Sequence, residues 1–460
     1  MRLRRAADAA LPLGCVALAG LSLLLSARPH YDAWGWLVWG REVVDPGLEL
    51  HTVGGPAWKP GPVLFTALFA PLGSAAPALW LLVVRAGGLL ALAAAFRLGR
   101  RIAGVGAGVL AVVLLALVQS WPLDLAWGEA EPLLVAAVLW AVERHLAGRH
   151  RVALGLGLAA ALVRPEAWPF LGLYAVWAWH RRAAPRWLVA LVLLVVPVLW
   201  FGPDWYSTGD PFTGSRLAKA GAEARAAQSS SSPVLDALGR IGSVLSLPVW
   251  LAALTAVGFA VRRRTVLPLA LAAGSLAWIA LVAAMTLVGY AGLGRFALPA
   301  TALACVLAGA GASWVLRAVR PRAAVVAVAI ALAAAAAPFE LRSLHAAVAD
   351  ARAGSGGRPI VAALEEAIRG AGGRARLRAL GRPVINGPLE TTLAWELGVP
   401  LRDVSDHARE GRSVVFAASY SRYSGPPPRL GRAPASRRVL AVFAPWTVVL
   451  IVTPRRPARR

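Results

Sequence analysis

Cysteine is almost missing from this chain. Among 460 residues only Cys15 and Cys305 occur, both inside apolar runs. They cannot build a disulfide framework, and they lack the paired spacing of a metal site. Lysine is as scarce: Lys59 and Lys219 stand alone in a chain whose Lys and Arg total 48. Acid is sparse too, with 23 Asp and Glu leaving a net charge of +25. In a soluble domain that surplus would point to nucleic acid. Here the basic segments carry no nucleic-acid motif. The arginines fall mostly between hydrophobic runs, where the positive-inside rule accounts for them. No internal repeat is evident, which argues against solenoids and against transporters built from repeated halves.

What the chain has in quantity is apolar sequence, 58% of its residues, with a mean hydropathy of +0.62. Soluble domains hold about 45–50%, so the composition predicts a polytopic α-helical membrane protein. Apolar runs lie near 9–26, 77–97, 103–120, 131–146, 152–163, 168–180, 186–203, 241–261, 265–289, 296–318 and 323–339. Judged against the ~20 residues needed to cross a bilayer, they predict about eleven spans, with soft boundaries where the runs are short. The start, Met1-Arg2-Leu3-Arg4-Arg5, has the look of a signal peptide. Ala27-Arg28-Pro29 is a poor cleavage site, so a retained first helix is expected.

Basic clusters at Arg97/Arg100/Arg101, Arg144 to Arg151, Arg181/Arg182/Arg186, Arg262 to Arg264 and Arg317/Arg320/Arg322 mark the cytoplasmic side, as do Arg2 to Arg5. With an odd number of spans the N-terminus is then inside and the C-terminus outside. Segment 61–72 is too short to span and reads as re-entrant or interfacial, and the run Gln228 to Ser232 reads as a flexible connection. From about 340 Gly, Arg and Pro become frequent. Helical periodicity at 359–369 and 388–397, and strand-like runs at 413–418 and 438–453, predict a small α/β extracytoplasmic domain over 340–460, after a membrane domain over 1–339. Residues 439–453 could instead be a last span, but Pro445 and their brevity favour a hairpin.

The polarity that could carry chemistry falls in the connections assigned to the outer side. Tyr31-Asp32-Ala33-Trp34-Gly35-Trp36 sets a carboxylate at the mouth of the first apolar segment, followed by tryptophans suited to an interface. Asp32 could be a catalytic base or the N-cap of a helix over 33–44. Lys59, in Trp58-Lys59-Pro60-Gly61-Pro62, could contact an anion or snorkel at a helix end. Glu129 and Glu131, with Asp124 nearby, could orient a sugar, bind a cation, act as a base, or be solvated acids at a helix N-terminus. Arg164-Pro165-Glu166 makes sense as a helix start, yet a guanidinium among apolar residues is costly without an anionic partner. Gly209-Asp210-Pro211 is a turn signal, with Lys219 shortly after it. Arg295 precedes an apolar run and is placed to meet a phosphate.

Taken in order, these motifs resemble the GT-C membrane glycosyltransferases that use polyprenyl-phosphate sugars. They are an acidic first loop, Lys-Pro-x-Pro, Gly-x-x-Glu-Pro, Arg-Pro-Glu, Tyr-x-x-Gly-Asp-Pro with a following Lys, and Arg-Phe-x-Leu-Pro. The nearest likeness is to arabinofuranosyltransferase-like and mannosyltransferase-like members. The resemblance covers about 25–300 and rests on order and topology. It implies Asp32 as catalytic base and Lys59, Arg164, Lys219 and Arg295 as donor-phosphate contacts. Glu129, Glu131, Glu166 and Asp210 would orient substrate. Where many members carry paired acids in the first loop, this chain has Tyr31 before Asp32. The expected partners are a polyprenyl-phosphate-linked sugar, membrane lipid, and a cell-envelope glycan, lipid or protein acceptor, with no nucleic acid. A monophosphate leaving group can be neutralised by Arg and Lys, so no cofactor is expected and no divalent cation is asserted. The rival classes are a lipid or glycan flippase, which calls for ionisable groups near the midplane, and a non-catalytic scaffold, in which Asp32 would be freely replaceable.

Overall fold

In the computed structural model residues 2–25, 28–319, 360–418, 427–430 and 433–454 are described, with scattered positions between 327 and 349. The predicted run at 323–339 falls almost wholly outside them. Helices dominate as far as 318: α1 (Arg2–Ser22), α2 (Tyr31–Val44), α3 (Pro60–Phe69), α4 (Ala76–Ala116), α5 (Ser120–Trp127), α6 (Glu131–Leu146), α7 (His150–Val163), α8 (Trp168–His180), α9 (Arg186–Thr208), α10 (Thr213–Ala220), α11 (Ala222–Gln228), α12 (Pro233–Gly242), α13 (Leu247–Arg263), α14 (Val266–Met285) and α15 (Leu298–Ala318). Proline sits in the first turn of α3, α4, α6, α8, α12, α13 and α15. There its missing N–H costs nothing and its fixed φ suits the helix.

Among the described residues four helical stretches are long and apolar enough to cross a membrane, or six if the bent pairs α5/α6 and α12/α13 each count as one. The expected eleven spans are therefore not confirmed. The runs at 131–146, 152–163 and 168–180 form helices too short to cross alone, and α4 takes in two of the predicted runs. Within α4, Ala103 and Gly104 leave helical geometry, Gly104 at φ 80° and ψ −175°. That break falls where the sequence separates 77–97 from 103–120. Segment 61–72 is helical, formed by α3 and a 3-10 turn (Ala70–Ala75) in which Gly73 leaves helical geometry (φ 55°, ψ −118°) before α4 begins.

Burial separates inner from outer helices. Only 22% of the apolar window of α9 is buried, against 89% for α15. Leu173, Val176, Trp187, Leu194, Leu254 and Leu276 on α8, α9, α13 and α14 are exposed, as lipid-facing side chains would be. α15 packs backbone to backbone. A Cβ on Gly309 would lie 2.5 Å from the Ala107 carbonyl, and one on Gly311 2.0 Å from that of Ala252. Glycine here lets α4 and α13 close on α15, which fixes the helix whose head carries Arg295.

The C-terminal unit comprises α16 (360–370), α17 (Gly373–Leu380), β1 (Arg382–Ile385), α18 (Glu390–Leu397), β2 (Gly411–Ala418), β3 (Ser436–Phe443) and β4 (Trp446–Thr453). The sheet order is β1-β2-β4-β3, with β1 parallel to β2 and the other pairs antiparallel. Residues 438–453 form the expected hairpin, β3–β4. The four-residue β1, with Pro383 inside it, was not read from the sequence. One hydrophobic core runs from Trp36, Trp80 and Leu134 to Leu364, Leu393, Phe416 and Trp446, so the C-terminal unit shares its interior with the helices.

Candidate active site

The site begins at a sharp turn. Gly128 ends α5 in the left-handed conformation (φ 74°), and its carbonyl accepts a hydrogen bond from Trp80 Nε1 at 2.8 Å. The bend between α5 and α6 is 113°. It sets Glu129 and Glu131 at the buried N-terminal end of α6, where the helix dipole favours negative charge. Across from them, Arg164 is extended (φ −148°, ψ 138°), as the residue before Pro165 must be. That conformation turns its side chain from α7 toward α6.

Arg164 is fully engaged. It donates from Nη1 to Glu131 Oε1 at 2.6 Å, and from Nε and Nη2 to the two oxygens of Glu166 at 3.1 and 3.0 Å. Its guanidinium also lies 3.7 Å from the centre of the Phe296 ring. Lys59 Nζ stands 3.9 Å from Glu131 Oε1 and 4.8 Å from the centre of the Trp36 ring. Arg164, Lys59, Glu129, Glu131 and Glu166 are all buried.

Arg295, in the 3-10 turn Gly294–Ala297 before α15, bridges the other half. Nη2 is 3.9 Å from Asp32 Oδ2, and Nη1 is 3.9 Å from Glu129 Oε2. Both distances exceed a hydrogen bond. Nε of Arg295 is buried with no hydrogen-bond partner, as are Glu129 Oε2, Glu131 Oε2 and Asp124 Oδ2. Asp124 is buried within electrostatic range of Glu131, Arg295 and Lys59. Asp32 lies in the first turn of α2, not at its N-cap. His30 holds that position, without a side-chain capping bond.

The structure thus gathers Asp32, Lys59, Glu129, Glu131, Arg164, Glu166 and Arg295, drawn from α2, the α3 N-terminus, the α5–α6 turn, the α7–α8 turn and the α15 head. Two sequence candidates lie apart. Lys219 sits over Tyr290, 5.0 Å from the ring centre, and among the described residues forms no ion pair. Asp210 closes its own turn, accepting from the Phe212 N–H at 2.9 Å and pairing with Arg216. The serine run near both is tied down. Gln228 donates to the Lys219 and Gly289 carbonyls at 2.9 and 2.7 Å, and Ser230 bonds Asp236.

Sequence reasoning missed His30. Its ring stacks on Trp127 at 4.8 Å, and its Nδ1 is 3.8 Å from Glu129 Oε1. Its adjacency to Tyr31-Asp32 was the available signal. The acids near Tyr31 were also missed. Burial, and the charges of Glu390, Asp32, Asp406 and Glu223, push the Tyr31 phenol up. Glu390, the first residue of α18, and Asp406, beside the Val384–Ser405 bridge, belong to the C-terminal unit. Among the described residues no cluster of three or more His, Cys, Asp or Glu is arranged to hold a metal ion.

An apolar helical body with helices long enough to cross a membrane, a buried ladder of alternating charge and a small sheet packed on the first loop together make up a fold that is also found in solved structures. Two solved structures share it over nearly their whole length. ArnT from Cupriavidus metallidurans bound to undecaprenyl phosphate aligns with a TM-score of 0.59 at 17% identity, over 96% of this chain and 98% of that one. The apo state of the same protein gives 0.56 at 17% identity, over 97% and 98%. No family model and no curated protein matches the chain.

Proposed function

We propose that this chain is an integral membrane glycosyltransferase that moves a sugar from a polyprenyl-phosphate donor to a cell-envelope glycan, lipid or protein acceptor. The transfer takes place on the outer face of the cytoplasmic membrane. The N-terminus lies inside, and the unit after about 340 lies outside. The observation that carries the reading is the bridge from Asp32 through Arg295 to Glu129, set in a fold shared with a structure that binds undecaprenyl phosphate.

Asp32 takes the proton of the acceptor hydroxyl as that oxygen attacks the anomeric carbon. The glycosidic bond to phosphate breaks, and the electron pair leaves with the polyprenyl phosphate. Arg295 and Lys59 are the cations suited to that phosphate, because neither is held in hydrogen-bonded ion pairs. Arg164 is saturated by Glu131 and Glu166, so it shapes the site rather than receiving the donor. Glu129 and Glu131 present unpaired oxygens that sugar hydroxyls can satisfy. Lys219 and Asp210 lie apart from these residues, in the connection that follows α9.

The test is purified full-length protein with a panel of polyprenyl-phosphate sugars, run beside Asp32→Asn. The amide keeps the side chain's size but is no base, so transfer falls by roughly 10²–10⁴-fold while folding is kept. Wild-type turnover by the variant removes Asp32 from the mechanism.

A further inference from the structure

Helix α2 carries Asp32 near its start and a second, unassigned pair near its end. Arg41 Nη2 donates to the Ala394 and Val399 carbonyls at 3.2 and 3.0 Å, and Nη1 to the Trp395 carbonyl at 3.3 Å. Two of these groups belong to the last turn of α18, where they also accept from the Val399 and Gly398 N–H groups, and the third lies just beyond it, at the negative end of the helix dipole. The same guanidinium lies 5.2 Å from the centre of the Trp395 ring. Glu42, 3% exposed, accepts from the Leu401 N–H at 2.8 Å and from the His51 N–H at 3.3 Å. One carboxylate thereby ties together the first loop and the C-terminal unit.

The contact between the two is close-packed. Trp34 meets Trp395 at 5.7 Å between ring centres. A Cβ on Gly35 would lie 3.4 Å from Thr391, and one on Gly55 would lie 2.4 Å from Leu401. Nine residues separate Asp32 from Arg41, about 13 Å along a helix and about two and a half turns, so the two side chains leave α2 on opposite sides. α2 is a wall shared by the charge ladder and α18.

We propose that Arg41 and Glu42 are positioning residues that lock the C-terminal unit onto the Asp32 helix. Glu390 and Asp406 are thereby held within electrostatic range of Tyr31, the neighbour of Asp32, and the unit forms the acceptor-facing wall of the site. This rests on the glycosyltransferase reading. The donor phosphate meets Arg295 and Lys59, on the face of α2 away from the clamp. Loosening the clamp therefore harms acceptor use and spares donor use.

The experiment uses full-length Arg41→Met, Arg41→Lys and Glu42→Gln, with two readouts. Hydrogen exchange without substrate follows the amides of 390–404. Steady-state transfer separates KM for donor from KM for acceptor. Arg41→Met is expected to lose protection at 390–404 and to raise acceptor KM about tenfold, the scale of one lost charge-assisted contact, with donor KM little changed. Arg41→Lys recovers part of the acceptor KM. Glu42→Gln loses protection at Leu401 and His51. Equal damage to donor and acceptor constants, or wild-type kinetics despite lost protection, overturns the positioning role. Unchanged protection overturns the clamp itself. Wild-type protein that transfers no sugar from any donor overturns the glycosyltransferase reading and the acceptor role with it, while the exchange data still report whether the clamp exists.

Discussion

The two halves of the charge ladder are built differently. Around Arg164 every guanidinium nitrogen is within 3.1 Å of a carboxylate oxygen. Around Arg295 the nearest carboxylate oxygens are 3.9 Å away, and Nε has no partner. Both arginines lie near Phe296, at 3.7 and 5.8 Å from its ring centre. They share residue type and neighbourhood, yet one is satisfied and the other is held in reserve. A closed ion network maintains shape. An open one can accept a ligand oxygen without first surrendering a hydrogen bond.

Removing Arg164 breaks that contrast most severely. Arg164→Met leaves Glu131 and Glu166 buried without their partner and should destabilise the fold by ~3–5 kcal/mol, the cost of an orphaned buried charge. Thermal unfolding in detergent reads it, and a loss of activity at wild-type stability would contradict the division. Arg295→Gln comes next. It should weaken donor use by ~1–3 kcal/mol with a far smaller change in unfolding temperature. Equal losses of stability in the two variants would erase the distinction between the halves.

A third test concerns pH and the α2–α18 clamp. Burial raises the Glu42 carboxyl to about 7 from its ordinary 4.5, against the pull of the Leu401 and His51 N–H groups and of Arg41. Burial and the Asp406 charge raise Glu390 to about 7 as well. A carboxyl with a raised folded-state pKa binds protons more tightly folded than unfolded. Its contribution to stability is complete below the unfolded value and is lost as pH rises to about 7. The unfolding temperature should therefore decline across that interval, and less steeply in Glu42→Gln. A rise in the wild type over the same range refutes the assignment. The smallest effect belongs to Lys219→Gln. It loses only a cation–π contact of ~0.5–1 kcal/mol, and donor KM should barely move. A loss as large as that of Arg295→Gln would return Lys219 to the phosphate site.

Much of this architecture is legible in local sequence. The helix after Asp32, the α16 and α18 segments and the β3–β4 hairpin all follow from periodicity and turn chemistry. Six of the seven clustered side chains announce themselves as charges beside Pro or Gly in apolar surroundings, namely Lys59, Glu129, Glu131, Arg164, Glu166 and Arg295. Which of them saturate one another is not a local property. Arg164 meets Glu131 across 33 residues, and nothing near Arg164 names that partner. Lys219 and Asp210 illustrate the converse. Their motif order suggested a place in the site, but Arg216 and Tyr290 lie closer and take them. Span number is not confirmed for a related reason, since hydropathy marks apolar runs and says little about where a helix bends or stops short.

The tie between Glu42 and Leu401 joins residues 359 positions apart. A ribosome adding about 5–20 residues per second needs roughly 20–70 s to make that interval. Throughout that time Trp34 and Gly35 have been synthesised while the residues that cover them have not. The helix bearing Asp32 exists long before the residues that finish it. A truncated chain therefore keeps its charged residues but displays an uncovered tryptophan face, a mark by which an incomplete molecule differs from a complete one before either meets a substrate.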